Sequence, residues 1–472
     1  MRRLVAVLAS WVAASLLMSS SAAGQVKPAA RKVAPQDRCL LQLVQADRRG
    51  NQTTPTAGVT NFFAGGNVHG RCVGKNIHIY SDSVASYGGS VVQFLSQTNR
   101  VKYRDSTTNL DADIVTYFRD NERIEAQGNV VHKDLKTSSS ITGPRVDYLR
   151  PLKGIRPEME ILAYNRPTVR YVVRDSVGKL TAPYVIVGNQ VKIAGSTLVF
   201  AGGSVTIDRD DLHGTADSIW MDSGRLERGQ MLRTASLKSV KGDGFTLDGT
   251  EIDLGLAKKE LSSLKARLKA KLISKDVVLD ADSILIALVL RQVETIRAWG
   301  KDIRPVAVSS DYRILGDSLV IEMPGQQLKS VRAYGNGWAG LVADSASSGS
   351  NKRRDWIAGD RVVASFVERD SAGVKKTTIK QLQAEQQARS YYQVAPDKGQ
   401  VRGSVNYTRA DRIVVFMRVT ADTTDVDRVE SFGSVDGVHL QPAVRKDSTK
   451  VDSTRRASAR PDTTPAAPRQ SP

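Results

Sequence analysis

Three segments of the chain, Gly249–Leu272, Ala281–Arg304 and Gly316–Ala339, align with one another without a gap. Each opens on a small residue and continues with alternating apolar positions: Ile252, Leu254 and Leu256; Ile284, Ile286 and Leu288; Leu319, Ile321 and Met323. A second apolar set follows at a common spacing, through Leu261, Val293 and Leu328, then Leu264, Ile296 and Val331, then Ala266, Ala298 and Ala333. Alternation puts one face of a strand inward, and two such runs joined by a turn read as a hairpin. A hairpin cannot bury its apolar face alone, so the repeats must stack into a shared core. Leu261, Leu264, Leu268 and Leu272 also have helical spacing, as do parts of 376–393. The aligned copy carries Pro324-Gly325 at the equivalent point, which a helix does not tolerate, and this selects strand.

Looser copies extend the pattern. They are Ala112–Val130, Ala358–Phe366 with Ile379–Ala388, and Ala410–Met417 with Val426–Val435, while Ser140–Leu149 and Gly214–Met221 read as further first halves. Asp113, Asp217, Asp282, Asp317, Asp360 and Asp411 recur at the strand starts. That regularity points to a turn or capping role, not to chemistry at any one of them.

The ends differ from this body. Met1-Arg2-Arg3, an apolar run from Leu4 to Leu17 and the small residues after Ser19 form the pattern of an export signal over 1–24. Residues 25–58 read as a flexible leader, 59–210 and 211–442 as two β units, and 443–472 as a polar tail too poor in apolar residues to order. Ser345–Arg354 reads as a loop. Export implies the periplasm and an oxidising space, where Cys39 and Cys72, the only two cysteines, can pair.

Little material is available for catalysis. His69, Cys72 and His78 are the one possible ligand cluster, and they lack a fourth ligand and a standard zinc spacing, so neither metal nor cofactor is expected. Gly74-Lys75-Asn76 lacks the hydroxyl residue of a phosphate loop, and no Gly-x-Ser-x-Gly elbow occurs. Asp210-Asp211 reads as a solvated turn. The chain is therefore expected not to be an enzyme. Its formal net charge of +19 comes without a nucleic-acid-binding motif, so nucleic acid is not an expected partner.

The unit Ala112-Asp113-Ile114 followed by Ile124-Glu125-Ala126-Gln127-Gly128-Asn129-Val130 resembles the OstA-like family. Gly66-Asn67-Val68 repeats the closing motif, and Gly335-Asn336-Gly337 and Gly433-Ser434-Val435 vary it. That family includes the periplasmic bridge of lipopolysaccharide transport. The resemblance implies an all-β fold in which antiparallel hairpins form a twisted open β-jellyroll, as one long or two joined units. It implies an interior that holds the acyl chains of lipopolysaccharide or another lipid; exposed terminal strand edges would suit edge-to-edge joining with other β-jellyroll proteins as partners. The family has no catalytic residues to transfer. The chain is longer than the single-domain bridge and has no run of membrane strands.

A lipid trough needs apolar side chains on one strand face and no unpaired charge inside. The candidates are Ile114, Ile252, Leu254, Ile284, Ile286, Leu319, Ile321, Ile413 and Val415. The same residues could instead pack on one another as a closed core. Lys258, Lys259, Lys265, Arg267, Lys269 and Lys271 are candidates for a basic rim that receives lipid phosphates, or else form a solvated basic face. A β-solenoid scaffold without lipid cargo is the alternative reading.

Overall fold

The computed structural model describes residues 38–441 apart from 55–57, 175–176, 241–243, 259, 310–311, 342–354, 372–373, 394–402 and 421–423. The expected export signal, tail and Ser345–Arg354 loop lie outside the described residues, apart from the loop's neighbours. The alternating segments form strands throughout, and all of the strands join one sheet. Neighbouring strands run antiparallel, which is not the pairing of a parallel β-helix. The aligned repeats are hairpins in a common register. Ile252 faces Ala266 and Leu254 faces Leu264; Ile284 faces Ala298 and Ile286 faces Ile296; Leu319 faces Ala333 and Ile321 faces Val331. The stretch with helical spacing is the strand Glu260–Ser274.

The long strands do not run straight. Their ladders slip near the middle, between Gly65 and Val68, Gly202 and Val205, Arg267 and Ala270, Tyr334 and Gly337, and Glu385 and Ala388. At each slip two successive residues take the left-handed conformation: Gly66-Asn67, Gly203-Ser204, Leu268-Lys269, Gly335-Asn336 and Gln386-Gln387, with Gly128-Asn129 and Arg233-Thr234 doing the same. Such an insertion bends a strand sharply. Each long strand therefore contributes one half to a front arm (198–202, 218–222, 228–232) and the other to a back arm (205–209, 212–215, 235–239). Elsewhere a short loop replaces the bulge, and the two halves are separate strands such as Val91–Leu95 and Val101–Arg104.

The recurring aspartates sit at these bends. The backbone N–H of Asp113 donates to the carbonyls of Gln127 (3.1 Å) and Gly128 (3.0 Å). Its carboxylate accepts from Asn129 Nδ2 at 3.0 Å. Asp47 makes the same contact with Asn67 at 3.0 Å. Asp282 accepts from the N–H groups of Lys301 (2.7 Å), Asp302 (2.9 Å) and Ile303 (2.9 Å). Asp411 accepts from Ser434 N at 3.2 Å. A Cβ at Gly66, Gly128, Gly335 or Gly433 would collide with the carboxyl group of Asp47, Asp113, Asp317 or Asp411. The glycines are thus needed twice, for their positive φ and for the close approach.

The two arms face each other. Tyr103 of the back arm meets Tyr148 of the front arm with ring centroids 6.3 Å apart, and Tyr312 meets Phe366 at 4.9 Å. One continuous core cluster fills the space between them. It is wedge-shaped by composition. Ala126, Ala266, Ala270, Ala281, Ala333 and Ala384, all buried, sit next to the bends, where the arms converge. Ile124, Leu264, Leu272, Leu279, Val331 and Leu382 lie one pleat further out.

Two expected boundaries change. The strands Leu41–Gln45 and Arg48–Thr53 occupy the described part of the expected 25–58 leader, and both pair with Thr60–Cys72. Leu41 and Leu43 pack on the core, whereas Arg48–Thr53 is exposed along its length. Backbone pairing alone, which leaves no hydropathy signal, holds that second strand. The expected division at 210/211 falls in the turn between Leu198–Arg209 and Leu212–Asp222, and the sheet and core run across it.

The bend makes a direct prediction. Gly128→Ala adds a Cβ in the left-handed region against Asp113, and is expected to destabilise by about 1–2 kcal/mol in urea denaturation. The cost should shrink in an Asp113→Ala background, and an equal cost in both would contradict the collision.

Candidate functional site

The candidate site is the cleft between the arms. Ile252, Leu254, Ile284, Ile286, Leu319, Ile321, Ile413 and Val415 all face into it and are buried. Ile114 does not. It is half-buried on the outer face, while Val115 and Tyr117 point inward. The reason is one of phase: in the other copies the inward residue stands two after the aspartate, as in Asp282 to Ile284 and Asp411 to Ile413, and from Asp113 that position is Val115.

Among the described residues, three cavities between the arms are small: about 20 Å³ beside Phe245, Leu272, Ile296 and Met323, about 10 Å³ beside His132, Ile141 and Ile161, and about 30 Å³ beside Ile357, Leu382, Val415 and Val429. A ligand-sized pocket is roughly 300–1,000 Å³, so at these three places the apolar side chains fill the cleft themselves.

Polar contacts bridge its mouth at the hairpin tips. In the middle of the chain, Arg209 pairs with Asp211 (Nη2 to Oδ2 2.7 Å) and donates to Tyr184 Oη at 2.6 Å. From the opposite arm, Arg291 reaches Asp211 Oδ2 at 3.5 Å and Glu260 at 3.7 Å. Asp211 is buried, so the expectation of a solvated Asp210-Asp211 turn holds only for the exposed Asp210. Burial raises the Tyr184 hydroxyl pKa above its ordinary value; burial lowers that of Arg209, but the hydrogen bond to Asp211 and the charges of Tyr184 and Asp211 outweigh it and the net shift is upward. Tyr171 donates to Ser196 O at 3.0 Å, and Thr377 Oγ1 to Asp276 Oδ2 at 3.2 Å. At the N-terminal end Glu122, buried at the tip of the front arm, accepts from Cys39 N (2.5 Å) and Tyr117 Oη (2.8 Å) and pairs with Arg150 (2.7 Å). Cys39 is joined to Cys72 in a disulfide, with Cα atoms 5.4 Å apart. The disulfide is the pairing expected of the only two cysteines, whereas no sequence pattern marks the polar contacts between the arms, such as Asp211 with Arg291 and Asp276 with Thr377, whose partners are remote in the chain.

The expected basic rim lies elsewhere. Arg267 is paired on the outer face with Glu251 (3.0 Å) and Asp253 (2.9 Å), Lys271 stands 4.0 Å from Asp280, and Lys265 lies over Trp299. Lys269 is exposed at a bend, Lys258 is exposed at a tip, and Lys259 lies outside the described residues. Strand alternation sends the odd-numbered members of this run to the face opposite Leu264, Ala266 and Leu272. The possible ligand cluster is divided in the same way. Cys72 points inward to its disulfide, whereas His69 and His78 meet on the outer face with Nε2 and Nδ1 3.0 Å apart.

The chain matches no family model and no curated protein. No helix among the described residues is long and apolar enough to cross a membrane.

One group inside the cleft makes stability depend on pH. Burial pushes His132 down to about 4, against the opposing pull of Asp134 and Asp105. The unfolded chain takes up this proton near pH 6.5 and the folded chain does not. The contribution is therefore complete above pH 6.5 and falls by about 3 kcal/mol as the pH drops to 4. His132→Leu should remove that part of the slope between pH 7 and pH 4.5 in chemical denaturation. Parallel slopes for the two proteins would show that His132 is protonated when folded.

Proposed function

We propose that the protein is a periplasmic lipid carrier or bridge in lipopolysaccharide transport, an OstA-like β-jellyroll that holds acyl chains between its arms. The observation that carries this reading is the mainly apolar lining, whose core cluster runs the length of the described fold. Among the described residues both arms present a mainly apolar inner face from the first hairpins to the last, with few polar groups such as His132 in it, and polar bridges join the arms at the tips. Separating the tips would expose an apolar trough along the bend without breaking the sheet. The free edges at either end suit joining to other jellyroll proteins by strand addition. Arg48–Thr53 and Asp436–Leu440 are the terminal strands of the described fold, and both are exposed throughout. The expected export signal puts such a carrier in the periplasm.

The small cavities favour a second reading, a closed β scaffold without cargo. Native mass spectrometry separates the two. The mature protein, purified from the envelope of a lipopolysaccharide-producing host or incubated with lipopolysaccharide, should carry a lipid A-containing adduct. Asp211→Cys/Arg291→Cys bridged by a short bis-maleimide should lose loading at least tenfold, while each single variant loads. A clean apo mass under all conditions would establish the closed scaffold.

A further inference from the structure

We propose that the outer face of the back arm, behind the bend, carries a binding site for a sugar bearing a phosphate or carboxylate group. The inference is independent of the lipid reading, because none of its residues faces the cleft. A cavity of about 460 Å³ opens there, within the range of small-ligand pockets and far larger than the gaps between the arms. It lies across four neighbouring strands, Tyr312–Leu315, Ser330–Leu341, Trp356–Ser371 and Val374–Gln393.

Its composition is specific. The lining includes Arg304, Arg313, Trp338 and Arg389, with Asp360 as the one acidic member. Trp338 is paired with Leu315 on one side and Ala358 on the other, and Ala358 is paired in turn with Arg389. Small residues, Gly337, Ala358 and Gly359, leave the floor open. Gly340 makes a second space. A Cβ there would collide with the Trp338 indole, so the ring lies along the sheet instead of standing out from it. An apolar ring face flanked by cations is the result.

The arginines differ in what they are free to do. Arg304 is engaged, donating to Asn336 O at 2.5 Å and standing 3.3 Å from Asp317. Arg313 and Arg389 are exposed and have no hydrogen-bond or ion-pair partner among the described residues. Two uncommitted guanidinium groups beside an indole suit a pyranose stacked on the ring, with its anionic substituent held by charge-assisted hydrogen bonds. Asn336 and Gln387, also in the lining, supply amides for sugar hydroxyls. The lining has one aromatic ring and none opposite it, so a nucleobase would stack on one side only, which favours the sugar.

The test uses the full mature chain, calorimetric titration and the indole N–H resonance of Trp338. The probes are glucose 1-phosphate, glucuronate, glucose and inorganic phosphate. Glucose 1-phosphate or glucuronate should bind saturably and shift the Trp338 resonance, and glucose and phosphate should each bind at least tenfold more weakly. Arg313→Gln/Arg389→Gln should weaken the charged sugar about tenfold or more, with an unchanged melting temperature because both side chains are exposed. Trp338→Leu should weaken it without restoring any preference for bare phosphate. Equal binding of phosphate and sugar phosphate would reduce the site to a simple anion patch and overturn the proposal. So would tighter binding of uridine monophosphate, an unchanged affinity in the double arginine variant, or no saturable binding by either charged sugar.

Discussion

The fold depends on a bend repeated along one sheet. A carboxylate or backbone N–H at the start of one strand half meets a left-handed pair in the next strand, as Asp113 meets Gly128-Asn129 and Asp317 meets Gly335. Without that bend, a sheet of this width would have an apolar face with nothing to cover it. With it, the same strands supply both walls of the core. The device survives loss of its glycine. Leu268-Lys269 and Gln386-Gln387 hold the same backbone at a cost in conformational strain, offset by the pairing and burial on both sides of the bend.

Bending also explains the composition of the core. Alanine recurs next to the bends because the arms are closest there, and larger side chains recur one pleat out because the arms diverge. In such a wedge the tips are the part furthest from the bends. They are held by polar contacts, among them the cluster of Tyr184, Arg209, Asp211, Arg291 and Glu260. A buried ion cluster contributes less to net stability than apolar packing of the same volume, yet it fixes which groups must meet. That combination suits a joint that closes in one register.

Much of the architecture was legible in the residues. The hairpin register follows from the ungapped repeat, and the structural role of Asp113, Asp282, Asp317 and Asp411 follows from their recurrence. What escaped was information that a local pattern does not carry. Ile114 follows its aspartate directly, one residue out of phase with the inward positions of the other copies, and only the common spacing from aspartate identifies Val115. Arg48–Thr53 has no apolar alternation, so its strand comes from a neighbour's free edge. The burial of Asp211 comes from Arg291, far along the chain. The outer groove depends on Gly340 and on four strands brought together by pairing. A basic run such as Lys265–Lys271 looks like a patch in sequence, but pairing with Glu251, Asp253 and Asp280 turns it into a largely neutralised face.

The proposed lipid carriage requires the arms to hinge at the bends and part at the tips. Spin labels at Val240 and Leu290, both exposed at tips on opposite arms, report that separation directly by pulsed electron paramagnetic resonance. The distance distribution should move to longer values when lipopolysaccharide is added to the mature protein, and return when it is extracted. A distribution that stays fixed while lipid is shown to be bound would contradict the hinged trough.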